Sequence, residues 1–361
     1  MTYICRAAVM HKPGEPFQLQ DIQLSEPAYG EVLVRTMSAG ICGTDLHFAR
    51  GTMPFPVPTV LGHEAAGVVE AIGAGVSGFK DGDRVIVCDQ TFCGRCAACL
   101  TGRMVYCTDP GTKQRQKARM TIDGRLVRQY LGVSAFAELM LVDEAALVAM
   151  PAGLSFDAAA LLGCCLTTGL AAVFNVARPA PGSTVAVFGC GGVGLAAIQA
   201  ARISGAAETI AVDLEPHRRE TAAKLGATVT IDPADGDVTK QILAKAPGGV
   251  DAAIEAVGLA ETAGQAFAVL HPGGQATVLG MMPPGAEIRL PAALLRHGRG
   301  ITGTVMGSVR TRFDIPRYAD LAIRGTLRSE EIITSSRPLH NLNEAMADAD
   351  ACQGIRSMIH F

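Results

Sequence analysis

The feature that most constrains this fold is a set of glycines placed between a strand and a helix. The short apolar run Thr184-Val-Ala-Val-Phe188 leads directly into Gly189-Cys-Gly191-Gly-Val-Gly194, and a helical pattern follows over Leu195–Ile203. Glycines at these intervals let the backbone turn tightly. They also bring a helix amino terminus, with its unpaired N–H groups, against a pyrophosphate. Gly189, Gly191, Gly192, Val193 and Gly194 are therefore expected around the phosphates of a dinucleotide.

The next strand, Thr209–Val212, ends at Asp213, nineteen residues beyond Gly194. A carboxylate there accepts hydrogen bonds from the adenosine ribose hydroxyls and repels a 2′-phosphate, which favours NAD over NADP. Arg218 could still touch a phosphate, which works slightly against that preference. Further strand–helix units follow at Ala227–Ile231, Val250–Val257 and Ala276–Leu279. Such alternation implies a parallel sheet with right-handed crossovers, so residues 166–305 read as one doubly wound domain.

The chain before it is organised differently. Ile4–Val9, Phe17–Ile22, Glu31–Thr36, Glu64–Val76, Asp81–Cys88 and Val133–Val142 are short apolar or alternating stretches, separated by turns such as Pro13-Gly14 and Gly73-Ala74-Gly75. Alternation at period two between glycine and proline breaks predicts strands. Ser155 is a candidate cap for a helix beginning near Phe156. Helices are expected at Phe313–Ile323 and Leu342–Ala349, and a last strand at Ile355–Phe361 is expected to rejoin the first domain, giving it residues 1–165 and 306–361. The polar stretch Thr112–Tyr130 reads as irregular, and its basic run Lys113–Arg119 as a solvated loop.

Metal-ligating residue types cluster in the first domain. Cys42 follows the third strand, and His63 stands in Gly62-His63-Glu64, behind the extended Pro54-Phe-Pro-Val-Pro58. One of Cys164 and Cys165 could supply a third ligand, or both could be small core residues on a tightly packed helix, and the residues alone do not choose. Cys93, Cys96, Cys99 and Cys107 form a separate set. Four thiolates fill the coordination sphere of zinc and leave no position for substrate, so that site is structural.

Composition narrows the remaining options. At 361 residues the chain exceeds one ordinary core and suits two domains. With 49% hydrophobic and 18% charged residues it has ample core material. A net charge of -3 gives no basic surface for nucleic acid, and no apolar run reaches membrane-spanning length. A cytoplasmic protein is expected, in which eleven cysteines serve metal more plausibly than disulfides.

With the cysteine cluster, Gly62-His63-Glu64 and the glycine fingerprint in place, nearly the whole chain resembles the medium-chain zinc-dependent alcohol dehydrogenases. The resemblance implies a GroES-like β-rich catalytic domain beside a Rossmann domain, two zinc ions per subunit, and a homodimer or homotetramer, with strand Ile301–Val305 a candidate for pairing between subunits. It selects Cys164 over Cys165 as the third ligand of a catalytic zinc held by Cys42 and His63. It makes Asp45 the residue that orients His63, and Glu64 a carboxylate that approaches zinc during ligand exchange. Arg356 would reach the cofactor pyrophosphate. Gly43 stands where animal members often carry a basic residue, so weaker cofactor binding is expected.

The implied reaction is reversible transfer of hydride from an alcohol to NAD, giving an aldehyde or ketone. Zinc stabilises the alkoxide, and a proton leaves through the Thr44 hydroxyl, the cofactor ribose and His47. Met53, Asp89, Met281 and Met306 fall near positions that line the family's alcohol pocket. Other readings are a nicotinoprotein that retains its cofactor, an S-(hydroxymethyl)glutathione dehydrogenase, and a non-enzymatic sensor of zinc and nucleotide.

Overall fold

In a computed structural model that describes residues 2–109 and 119–361, the chain divides into two units, Met1–Cys164 with Arg310–Phe361, and Cys165–Val309. The sequence-based limits stood one residue later at the first junction and four earlier at the second. The difference at the second junction has a local cause. Gly307 turns flush against the backbone of Thr168 and Ala171, where a Cβ would collide, and that close approach keeps Met306–Ser308 with the second unit.

In the first unit, alternating side chains produce two β layers. Thr2–Met10, Gln18–Ser25, Met120–Ile122, Arg125–Gln129 and Thr59–Val60 close into a small barrel. A seven-stranded sheet runs in the order Leu147–Ala149, Arg84–Val87, Glu64–Ile72, Glu31–Gly40, Arg356–His360, Ile333–Pro338, with Leu139–Asp143 also paired to Glu31–Gly40. Val32, Val34, Val85, Val87, Phe136 and Tyr130 are fully or nearly fully buried in the core. Each such side chain stabilises the fold by about 1.5–3 kcal/mol. The frame around the candidate site therefore rests on apolar packing.

Two expectations need correction here. Val133–Val142 is a strand only from Leu139, because Leu131 and Ser134 take left-handed backbone angles in a turn closed by Val133 and Ser134 N–H bonds to the Tyr130 carbonyl. The stretch Thr112–Tyr130 is not irregular in its described part. Met120–Ile122 and Arg125–Gln129 pair as a hairpin across Asp123-Gly124, the two-residue turn whose positive φ angles suit the twist of antiparallel strands. Apart from Arg119, the basic run lies outside the described residues. Arg119 itself pairs with Glu31.

Helix Phe156–Gly163 begins as its sequence requires, with the Ser155 hydroxyl accepting the Ala158 N–H at 3.1 Å. It stops at Cys164, whose backbone (φ -144°, ψ -71°) is not helical, and a new helix runs over Cys165–Ala171.

The second unit is a sheet of six parallel strands in the order Val229–Ile231, Glu208–Val212, Thr184–Phe188, Val250–Glu255, Leu270–Val278, Gly300–Gly303. Numbered along the chain this order is 3-2-1-4-5-6, the doubly wound arrangement of dinucleotide-binding sheets. Thr184–Phe188 sits at its centre, next to the switch point where the strand order reverses. Its continuous apolar sequence reflects burial on both faces.

Candidate active site

Cys42 owes its position to a strand end and a helix cap. Strand Glu31–Gly40 delivers the chain to Cys42, which caps helix Gly43–Arg50. Asp45, in the first turn, reaches back: its Oδ2 accepts the Cys42 N–H at 3.0 Å, while its Oδ1 accepts the Gly62 N–H at 3.2 Å and meets His63 Nδ1 at 3.2 Å. One fully buried carboxylate thus ties both ligand-bearing segments together. With Nδ1 held by Asp45, His63 has Nε2 left to ligate.

The break after helix Phe156–Gly163 brings Cys164, and not Cys165, to the same place. The ligand atoms of Cys42, His63 and Cys164 lie within 4.8 Å of one another, and all three residues are buried. Hydrogen bonding from Cys164, and then from His63, drives the Cys42 thiol well below its ordinary range against the opposing effect of burial. Burial works against a charged His63, but Asp45 and Cys42 outweigh it and raise the imidazole. His63 and Arg356 supply positive charge that favours a thiolate at Cys42, and a divalent cation seated among the three donors would supply more. Three protein donors leave tetrahedral zinc one open position.

Glu64 and Arg356 lie behind this centre. Arg356 is buried; its Nη1 donates to the Ile41 carbonyl at 2.7 Å and meets Glu64 Oε2 at 3.4 Å. Burial pushes the Glu64 carboxyl up to about 7 in spite of that guanidinium. Gly40, directly across the sheet from Glu64, leaves room for the carboxylate, since a Cβ there would collide with Glu64 Oε2.

Through Tyr130, an aromatic cluster that the sequence reading passed over reaches His63. Tyr130 packs edge-on at 5.8 Å from its ring, and Phe48 and Phe55 meet Tyr130 at 5.0 and 5.4 Å. The Asp-Gly hairpin turn was the available signal, because it sets where the strand before Tyr130 ends. Thr44 and His47 lie three apart, on one face of helix Gly43–Arg50. The Thr44 hydroxyl is 3.7 Å from Cys42 Sγ, and His47 Nδ1 is 3.3 Å from the Thr52 hydroxyl. Of the four pocket candidates, Met53, Asp89 and Met281 are half-buried. Met306 is buried, with its sulfur accepting from the Thr168 hydroxyl at 3.2 Å.

The second cysteine cluster is built locally. Cys93, Cys96, Cys99 and Cys107 bring their sulfurs within 4.8 Å of one another. The Cys93–Cys99, Cys96–Cys99 and Cys96–Cys107 separations are 3.9, 3.5 and 3.9 Å. A tetrahedron of sulfurs around zinc at about 2.3 Å has edges near ~3.8 Å. These distances fit a shared ion and are too long for disulfides. Backbone N–H groups of Arg95 and Cys96 also point at Cys93 Sγ, at 3.5 and 3.3 Å.

In the second unit, Gly191 caps helix Gly192–Ile203, so Gly192, Val193 and Gly194 form its first turn. A Cβ on Gly194 would overlap the Gly189 carbonyl, so the tight loop requires glycine there. Asp213 Oδ2 accepts the Cys190 N–H at 2.6 Å, and Oδ1 accepts the Glu215 N–H at 2.9 Å. The guanidinium that hooks back onto this turn belongs to Arg219; Arg218 is half-buried on the same helix.

Residues 28–152 match the model of the alcohol dehydrogenase GroES-like domain, and residues 192–323 that of the zinc-binding dehydrogenases. An S-(hydroxymethyl)glutathione dehydrogenase of Synechocystis is 36% identical, over 99% of either chain. Benzyl alcohol dehydrogenase from Acinetobacter calcoaceticus superposes with a TM-score of 0.93 at 30% identity, covering 99% of both chains. A zinc-binding dehydrogenase from Sinorhizobium meliloti, solved with NADP, gives a TM-score of 0.84 at 28% identity, covering 99% of this chain and 100% of that one. A doubly wound nucleotide unit, a GroES-like unit and two zinc-type ligand sets define an oxidoreductase that works with zinc and a nicotinamide cofactor. The chain belongs to the medium-chain zinc-dependent alcohol dehydrogenase family.

Proposed function

We propose that this protein oxidises a primary or secondary alcohol with NAD, reversibly, at the centre made by Cys42, His63 and Cys164. The observation that carries the proposal is the buried three-donor set, which leaves a fourth position for an alcohol oxygen. Zinc bound there supplies a Lewis acid, and NAD supplies the hydride acceptor. The chain does the rest. Asp45 fixes the His63 ring and the Cys42 turn, Thr44 holds a hydroxyl beside the sulfur, and His47 passes the proton outward from the same helix face. Glu64 stands in reserve as a carboxylate for ligand exchange.

Cys93, Cys96, Cys99 and Cys107 are assigned to a structural zinc. Gly189, Gly191, Gly192, Val193, Gly194 and Asp213 are assigned to NAD, with Arg218 beside the adenosine. The pyrophosphate contact of Arg356 is proposed on resemblance, its bonds here being to Ile41 and Glu64. Association of identical chains through the edge strand Gly300–Gly303 is proposed on the same footing, an uncovered edge offering unpaired backbone groups.

The likeness to benzyl alcohol dehydrogenase supports aromatic alcohols as substrates. The identity to an S-(hydroxymethyl)glutathione dehydrogenase supports a second reading. Both are tested by following NADH absorbance over a panel of alcohols that includes benzyl alcohol, and with formaldehyde plus glutathione. NADH formation only in the last mixture selects the second reading. No NADH with any substrate, despite NAD binding, removes both.

A further inference from the structure

The turn after strand Glu208–Val212 is held from both sides. On one side the Asp213 carboxylate accepts the backbone N–H groups of Cys190 and Glu215, at 2.6 and 2.9 Å, which fixes its orientation against the glycine loop. On the other side Arg219 reaches back from helix Pro216–Leu225. Its Nη1 donates to the carbonyls of Asp213 and Leu214 at 2.7 and 2.8 Å, and its Nη2 pairs with Asp232 Oδ2 at 2.7 Å. The side chains of Arg219 and Asp232 are only 17% and 23% exposed, so solvent screens the pair less than it would a surface bridge.

Asp232 is itself well anchored. It follows strand Val229–Ile231, the parallel neighbour of Glu208–Val212, and its Oδ1 accepts the Ala234 N–H at 2.9 Å. A guanidinium next to a ribose-binding turn is the group that ordinarily receives a 2′-phosphate, in a two-pronged contact. Arg219 has the right chemistry and the right neighbourhood. Its hydrogen bonds are spent on two carbonyls, and its charge is cancelled by a carboxylate.

We propose that Asp232 is a specificity-determining residue for the cofactor: by holding Arg219 against the Asp213–Leu214 turn, it keeps that guanidinium from a 2′-phosphate and so favours NAD over NADP. The inference rests on the reading that Asp213 takes the adenosine ribose. Arg218, whose charge also reaches Cys190, is the other cation near the loop. It is left intact in every variant below.

The test is direct binding of NADH and NADPH to the zinc-loaded full chain, read by the fluorescence of the reduced nicotinamide. Asp232→Asn removes the charge and keeps the cap to Ala234, since asparagine caps as well as aspartate. It is expected to lower the Kd for NADPH about fivefold to tenfold while that for NADH stays within about twofold. The double variant Arg219→Met, Asp232→Asn is expected to return NADPH to its starting affinity. Asp232→Ser, which also caps, serves as the second variant if the first folds poorly, and the same shift is expected.

An unchanged NADPH-to-NADH ratio in the Asp232 variants overturns the inference, as does a gain that survives in the double variant. Asp213→Gly separates this from the underlying reading. If the ratio moves in Asp213→Gly alone, ribose recognition stands and the Asp232 inference is lost; if it moves in neither, both are lost.

Discussion

The Cys42–His63–Cys164 centre draws its donors from three distant points of the chain, whereas the other cluster collects all four between residues 93 and 107. The first set is wholly buried and has an acid, Asp45, behind its imidazole. The second is mostly half-buried and braced by nearby backbone N–H groups. Both sets suit zinc, yet they suit different work. Four thiolates complete a tetrahedron and stabilise a loop, while three donors in an apolar frame leave a reactive corner. On the proposed reading, donor count and burial, more than donor type, separate chemistry from scaffolding.

That contrast is open to measurement. The largest effect is expected at the three-donor centre: Cys42→Ala should lower kcat by about a thousandfold or more, with loss of one zinc by elemental analysis and little change in Tm. A variant that keeps its rate would end the assignment. Asp45→Asn should weaken zinc at the same centre by about 10- to 100-fold, as seen when other partners of ligating histidines are removed. Competition with a chromophoric chelator measures it, and undiminished affinity would mean that the Asp45–His63 contact is only structural.

At the four-cysteine lobe the pattern should invert. Cys96→Ser is expected to lower Tm by about 2–4 °C, with kcat at 25 °C within about twofold once the protein is folded. A collapse of kcat without loss of Tm would give the lobe a catalytic role. The smallest effect is expected at His47→Gln: kcat lower by about fivefold near neutral pH, partly recovered in alkaline buffer as solvent takes over the proton. A deficit that does not change with pH would remove His47 from the proton route.

Much of this was legible before any coordinates. The strand–glycine–helix order dictated a doubly wound unit, and the close spacing of four cysteines led to the expectation that their sulfurs come together, as they do, because both depend on short spacings along the chain. Ser155 was readable as a cap for the same reason. Where local reasoning failed, the deciding contact was distant or turned on backbone angle. The hairpin at Asp123-Gly124 was missed inside a polar stretch, although its two residues are the usual ones for such a turn.

By itself, then, the order of residues settled which chemical groups are present, which strands alternate with which helices, and which cysteines stand close together along the chain. The three-dimensional arrangement decided the rest. The residues alone left Cys164 and Cys165 equal, and the helix break at Cys164 separates them by direction. Arg218 and Arg219 are adjacent in the chain, and it is Arg219 that folds back onto the Asp213 turn. Arg218 and Arg219, neighbours along helix Pro216–Leu225, point about 100° apart, and at Cys164 the non-helical backbone turns the side chain out of the helical path; in both pairs one step in sequence changes a side chain's partners.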